Sequence, residues 1–86
     1  MKLYIATIIL RYEGGSNAET FVNETPNGVA VLVATSLLQE EVPFDYDDIL
    51  HECEKGNQES WNEPLSLGDE TDSRREFLLT TKVVEI

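Results

Sequence analysis

The residues with the most versatile chemistry are one histidine and one cysteine, His51 and Cys53, set two apart in His51-Glu52-Cys53. On a helix, residues two apart point in different directions. The pair therefore does not share a metal ion or act as base and nucleophile. A zinc site takes three or four ligands, and the soft donors here are one Cys and one His. Cys53 is expected in the core and His51 in solvent, neither with a functional role. A calcium reading of Asp45, Asp47 and Asp48 fails on loop grammar. Counting from Asp45, Leu50 stands where glycine is required, and Gly56 where a bidentate glutamate belongs. Gly14-Gly15 lacks the lysine and the helix that follow in a phosphate-binding loop. Carboxylates are plentiful, but nothing singles out two of them, and acid–base catalysis needs a pocket that moves their pKa values. The expectation is a protein that is not an enzyme and has neither cofactor nor metal.

The carboxylates point instead to binding. Asp45, Asp48 and Glu52 are spaced i, i+3 and i+7, so on a helix they line one side. Neighbours at that spacing are roughly 5–6 Å apart at Cβ, comparable to the interval between phosphates along a nucleic-acid strand. Glu59 and Glu63 flank Trp61, the only tryptophan, in a polar stretch. Tryptophan is enriched among interface anchors, although Trp61 would serve equally as a cap on a small core. The expected partner-binding set is Asp45, Asp48, Glu52, Glu59, Trp61 and Glu63. The plainer alternative is a solvated helix face.

The charge balance has the same sense. Seventeen acids face six bases, for a net charge of −11. From Glu13 to Asp72 there are fifteen acids and one base, Lys55. Such a field repels nucleic acid and anionic membranes and steers toward basic partners. Direct nucleic-acid binding is therefore not expected. The rival explanation is that the acidity only confers solubility.

Eighty-six residues are the length of one domain, and a chain this short buries about 60–65% of its unfolded surface. That leaves a thin core and no deep enclosed pocket. With a single cysteine there is no intrachain disulfide framework of the kind small secreted domains need. The apolar run Leu3–Leu10 is too short to span a membrane and is not followed by a small-residue cleavage site. It reads as a strand, and the expected location is the cytoplasm.

The elements that must position these residues follow from periodicity. Over residues 2–13, Tyr4, Ala6, Ile8, Leu10 and Tyr12 share one face, and Leu3, Ile5, Thr7 and Ile9 the other. Both are apolar, as in a central strand covered on both sides. Gly14-Gly15-Ser16-Asn17 reads as a turn, and residues 18–24 as a second strand completing a hairpin. Residues 26–41 are ambiguous. Thr25-Pro26-Asn27-Gly28 reads as a hairpin turn, or as a helix start with Thr25 as N-cap and Pro26 at the first helical position. The helix is preferred, because Val29, Leu32, Val33, Ser36 and Leu37 recur at helical spacing. Val31 and Leu38 make it apolar all round, and Pro43 ends it. Residues 45–55 form the clearest helix, with Asp45 as N-cap, a buried stripe of Tyr46, Ile49, Leu50 and Cys53, and Lys55-Gly56 at the end. Residues 57–64 are loop-like, Leu65–Leu67 has room for a short strand, Gly68–Ser73 is an acidic turn, and 75–86 alternate as a final strand.

The pattern predicts a single α+β domain over residues 1–86. A small antiparallel sheet, made of the N-terminal hairpin and the C-terminal strand, packs against one or two helices. The two terminal strands should lie side by side near the middle of the sheet. In size, charge and layout, and without any shared motif, the chain resembles the small acidic inhibitors encoded by bacteriophages, including anti-CRISPR proteins and DNA mimics. That resemblance implies a stoichiometric inhibitor that occupies a nucleic-acid site, or locks a conformation, in a host defence protein. The alternative is an assembly adaptor that pairs through a sheet edge as a homodimer.

Overall fold

Nine residue pairs, from Tyr4–Asn23 to Tyr12–Gly15, join the first two strands of the computed structural model, which describes residues 1–12, 14–56, 65–67 and 75–86. These strands are β1 (Lys2–Tyr12) and β2 (Gly15–Asn23). The turn is tighter than the four residues expected. Gly14 takes φ 100°, a value that glycine adopts without a Cβ clash, and the Tyr12–Gly15 pair closes the hairpin immediately. Gly15, Ser16 and Asn17 are therefore ladder residues rather than turn residues.

Helix α1 (Pro26–Gln39) resolves the ambiguous segment. Thr25 is extended and its hydroxyl oxygen accepts from the Gly28 N–H at 3.0 Å, while proline occupies the first turn, where its missing donor costs nothing. Gly28 is needed there, because an added Cβ would meet the Asn23 carboxamide and lie 2.8 Å from Thr25 Oγ1. The helix ends at Gln39, ahead of Pro43. Its terminator is Glu41, held at φ 57° so that the Glu41 N–H reaches the Leu38 carbonyl at 3.2 Å and the Val42 N–H the Leu37 carbonyl at 3.0 Å. Val42 and Leu37, both buried, complete this Schellman motif. The buried side of α1 is Val29, Ala30, Val33, Ala34 and Leu37, so Ala30 and Ala34 displace the expected Leu32 and Ser36. Alanines let the helix axis approach neighbouring elements closely, and Leu32 turns outward with Val31 and Leu38.

Helix α2 (Tyr46–Lys55) follows its sequence pattern. Asp45 caps it, Ile49 and Cys53 are buried, and Tyr46 and Leu50 are half-buried against the core. The Tyr46 hydroxyl donates to Asn27 Oδ1 at 2.5 Å, which joins the start of α2 to the first turn of α1.

The last two strands are β3 (Leu65–Leu67) and β4 (Arg75–Glu85). All four strands form one antiparallel sheet in the order β2-β1-β4-β3. β1 and β4 pair along eleven positions, from Lys2–Glu85 to Tyr12–Arg75, so the two terminal strands are the central ones, as expected. The architecture is α+β. Both helices lie on the face that carries Ala6, Ile8, Phe77, Leu79 and Thr81, and these pack with the buried side chains of α1 and α2 as a single core. The expectation that β1 is covered on both sides is met, among the described residues, on one side. Among the described residues, no helix or strand lies over the face of Leu3, Ile5, Thr7 and Ile9.

Candidate macromolecular interface

The acids of α2 begin with local roles. Asp45 Oδ1 accepts from the Asp47 N–H at 3.0 Å, and Asp47 and Asp48 sit in the first turn, where negative charge offsets the helix dipole. Asp48 is exposed. Glu52 differs from both, because its side chain is only 15% exposed and its carboxylate lies 3.5 Å from Lys55 Nζ. Its main-chain carbonyl also accepts from the Thr81 hydroxyl at 2.7 Å and from the Gly56 N–H at 2.8 Å. The expected line of Asp45, Asp48 and Glu52 is thus on one side of the helix, but only Asp48 is both exposed and without a hydrogen-bonding or ion-pairing role shown here. Glu59, Trp61 and Glu63 lie outside the described residues.

Two exposed acids of α2 were missed by the spacing argument, Asp47 and Glu54. The signal for them is distance around the helix from the buried pair Ile49 and Cys53, rather than alignment with the N-cap. With Asp48 they form the outer acidic surface of α2, and Glu40 and Glu41, just after α1, are exposed as well.

His51 is exposed and Cys53 buried, so the two side chains do separate. Burial, with Glu52 and Glu54 on either side, pushes the Cys53 thiol from 9.0 up to about 11, which leaves it protonated and unreactive at neutral pH. Among the described residues, no three His, Cys, Asp or Glu side chains gather in a way that would hold a metal ion. Nor, among the described residues, is any helix long and apolar enough to cross a membrane.

An open groove of about 350 Å³ lies between the hairpin and the C-terminal half of α1. Ile8, Leu10 and Phe77 form its apolar lining, with Glu19 and Glu40 at its polar margin. Glu19 is held in place by the Ser36 hydroxyl, which donates to Oε2 at 3.1 Å. This arrangement suits the stem and head of a cationic side chain.

The charge is divided between the two sides of the sheet. Among the described residues, strand alternation places Arg11, Lys82 and one acid, Glu76, on the uncovered face. The acids of α2, of the α1–α2 connection and of the groove all belong to the helical side. Compared with protein-family models, curated proteins and solved structures, the chain matches none.

Proposed function

We propose that this protein acts by binding, as a stoichiometric inhibitor that occupies a basic, nucleic-acid-binding surface of a host defence protein. In this reading it is of the anti-CRISPR or DNA-mimic kind, and its chemistry is charge presentation rather than catalysis. The observation that carries the proposal is the segregation of charge. Among the described residues, exposed Asp47, Asp48 and Glu54 on α2 and exposed Glu40 and Glu41 after α1 place acidity on the helical side, while the opposite sheet face carries Arg11, Lys82 and Glu76. A one-sided field orients the molecule toward a basic partner and raises the rate of encounter.

The test is retention of lysate proteins on the immobilised protein at low and high salt, for the wild type and for the triple variant Asp47→Asn, Asp48→Asn, Glu54→Gln. The triple is needed because each exposed contact contributes only about 0.2–1 kcal/mol. The expected result is a basic nucleic-acid-binding protein that salt and added DNA or RNA both displace, and that the triple variant retains poorly. Equal retention by the triple variant at every ionic strength, without competition by nucleic acid, refutes the proposal. A second reading, a homodimeric assembly adaptor, is favoured by one observation, the apolar sheet face that no described element covers.

A further inference from the structure

The uncovered sheet face has a composition that sets it apart from the rest of the molecule. Strand alternation places Leu3, Ile5 and Ile9 of β1, Val22 of β2, and Leu78 and Val84 of β4 on it. Thr7, Thr20 and Thr80 lie between them, the Thr7 and Thr20 hydroxyls 3.0 Å apart and Thr80 buried at 9% exposure, and Leu3, Ile5, Ile9, Leu78 and Val84 are half-buried. Val22 is 50% exposed, and Ala18 and Thr20 are exposed beside it. Strands apolar on both faces are characteristic of sheets covered on both sides, and here the chain's own helices cover one side.

We infer that this face is closed by a second copy of the same chain, packed sheet against sheet. Charge decides between occupants. A basic partner drawn by the net charge of −11 would go to the helical side, since among the described residues the sheet face offers it two cations, Arg11 and Lys82, against one acid, Glu76. Two copies meeting through the sheet face keep their acidic sides pointing outward and far apart, so the repulsion that opposes self-association of so acidic a chain is smallest in this arrangement. Size limits the contact. Three long strands at about 4.8 Å spacing and about 35 Å length give a flat footprint of about 500 Å², short of the about 800 Å² per partner of a standard interface, so the face makes a weak, dissociable dimer.

Pairing through the β2 edge is the competing way to join two copies. Glu19 stands at the middle of β2, so antiparallel pairing of two such edges brings Glu19 against its own copy. Like charges opposed across strands destabilise the pair. The face, which has no such obstacle, is the favoured contact, with the two sheets aligned at about −30°.

The inference stands apart from the proposed inhibitor function and is tested by sedimentation over a dilution series. The wild type should sediment as a species of about 19 kDa, twice the 9.7 kDa of the chain. Val22→Lys and Thr20→Lys, each at an exposed position of the face, should each raise the dimer Kd by about tenfold or more while leaving the circular dichroism and thermal transition intact. Glu19→Gln should leave the dimer unchanged, as should the triple helix variant Asp47→Asn, Asp48→Asn, Glu54→Gln. A wild type that stays monomeric up to about 1 mM overturns the inference. So does a dimer indifferent to both lysines, and a dimer tightened by Glu19→Gln would identify the edge as the contact instead.

Discussion

The Thr81 hydroxyl donates a hydrogen bond of 2.7 Å to the main-chain carbonyl of Glu52, so the last turn of α2 is fastened to the central strand β4. Thr81 is 1% exposed, and this is the way a buried hydroxyl on the helix-covered face is satisfied. The same carbonyl accepts from the Gly56 N–H at 2.8 Å, which closes α2. One carbonyl thus terminates a helix and docks it on the sheet, and the candidate acids of α2 are presented outward as a consequence.

Replacing that hydroxyl by a methyl group of similar shape should have a moderate cost. Thr81→Val is expected to destabilise the protein by about 1 kcal/mol, because the Glu52 carbonyl keeps its Gly56 donor and is not left orphaned. Urea unfolding measures this as a lower midpoint at unchanged slope. An unchanged midpoint would mean that the hydrogen bond contributes nothing net.

Glu41 is the one described non-glycine residue at positive φ, 57°, and it holds that conformation to complete the C-cap of α1. A left-handed conformation costs an L-residue with a Cβ about 1–2 kcal/mol, which glycine avoids. Glu41→Gly should therefore stabilise the protein by about 1 kcal/mol and raise its Tm by roughly 4–8 °C. A lower Tm in calorimetry would show that the Glu41 side chain makes a stabilising contact that outweighs the backbone relief.

The buried Cys53 thiol should reveal itself at alkaline pH. Its pKa in the folded protein, about 11, lies above the ordinary value of 9.0 that the unfolded chain takes. As pH rises from 9 toward 11, the unfolded thiol ionises first and unfolding becomes more favourable. The stability that the protonated thiol supports is complete below pH 9 and is lost through that window. The loss is up to about 2–3 kcal/mol at about 1.4 kcal/mol per pH unit. Cys53→Ala should start lower, because of the small cavity, and should show a shallower decline across this window. Parallel pH profiles for the two proteins would contradict the assignment.

Much of the fold was legible where a local rule had no competitor. The helix of residues 45–55 follows from one N-cap, one buried stripe and one terminal glycine, all within twelve residues. Thr25 and Pro26 fit a turn as well as a helix start, and the recurrence of Val29, Leu32, Val33, Ser36 and Leu37 at helical spacing favours the helix that forms. The first strand and the last announced themselves by two-sided apolar alternation, and they are the central pair. The candidate site was less legible. Spacing aligned Glu52 with Asp45 and Asp48, but spacing carries no information on the sheet beneath, which half-buries Glu52 and leaves Asp47 and Glu54 exposed instead.

What the chain determined by itself was the identity of its elements, the separation of His51 from Cys53, and the excess of acid in its middle. What only the tertiary structure decided was which surfaces meet. Periodicity marks both faces of β1 as apolar and gives them equal standing, and in α1 it favours Leu32 and Ser36 for the inside where Ala30 and Ala34 are buried. The choice between them depends on contacts between segments far apart in sequence, such as the ladder that joins Lys2 to Glu85 and the hydrogen bond that joins Thr81 to Glu52. Those contacts set the side of the sheet on which the helices land. Once they land on the face of Ala6 and Leu79, the described acids of the helices are carried on that side, and the face of Ile5 and Val22 is left to mostly apolar strand residues. No local window of sequence contains that information, because it arises only when the two ends of the chain pair.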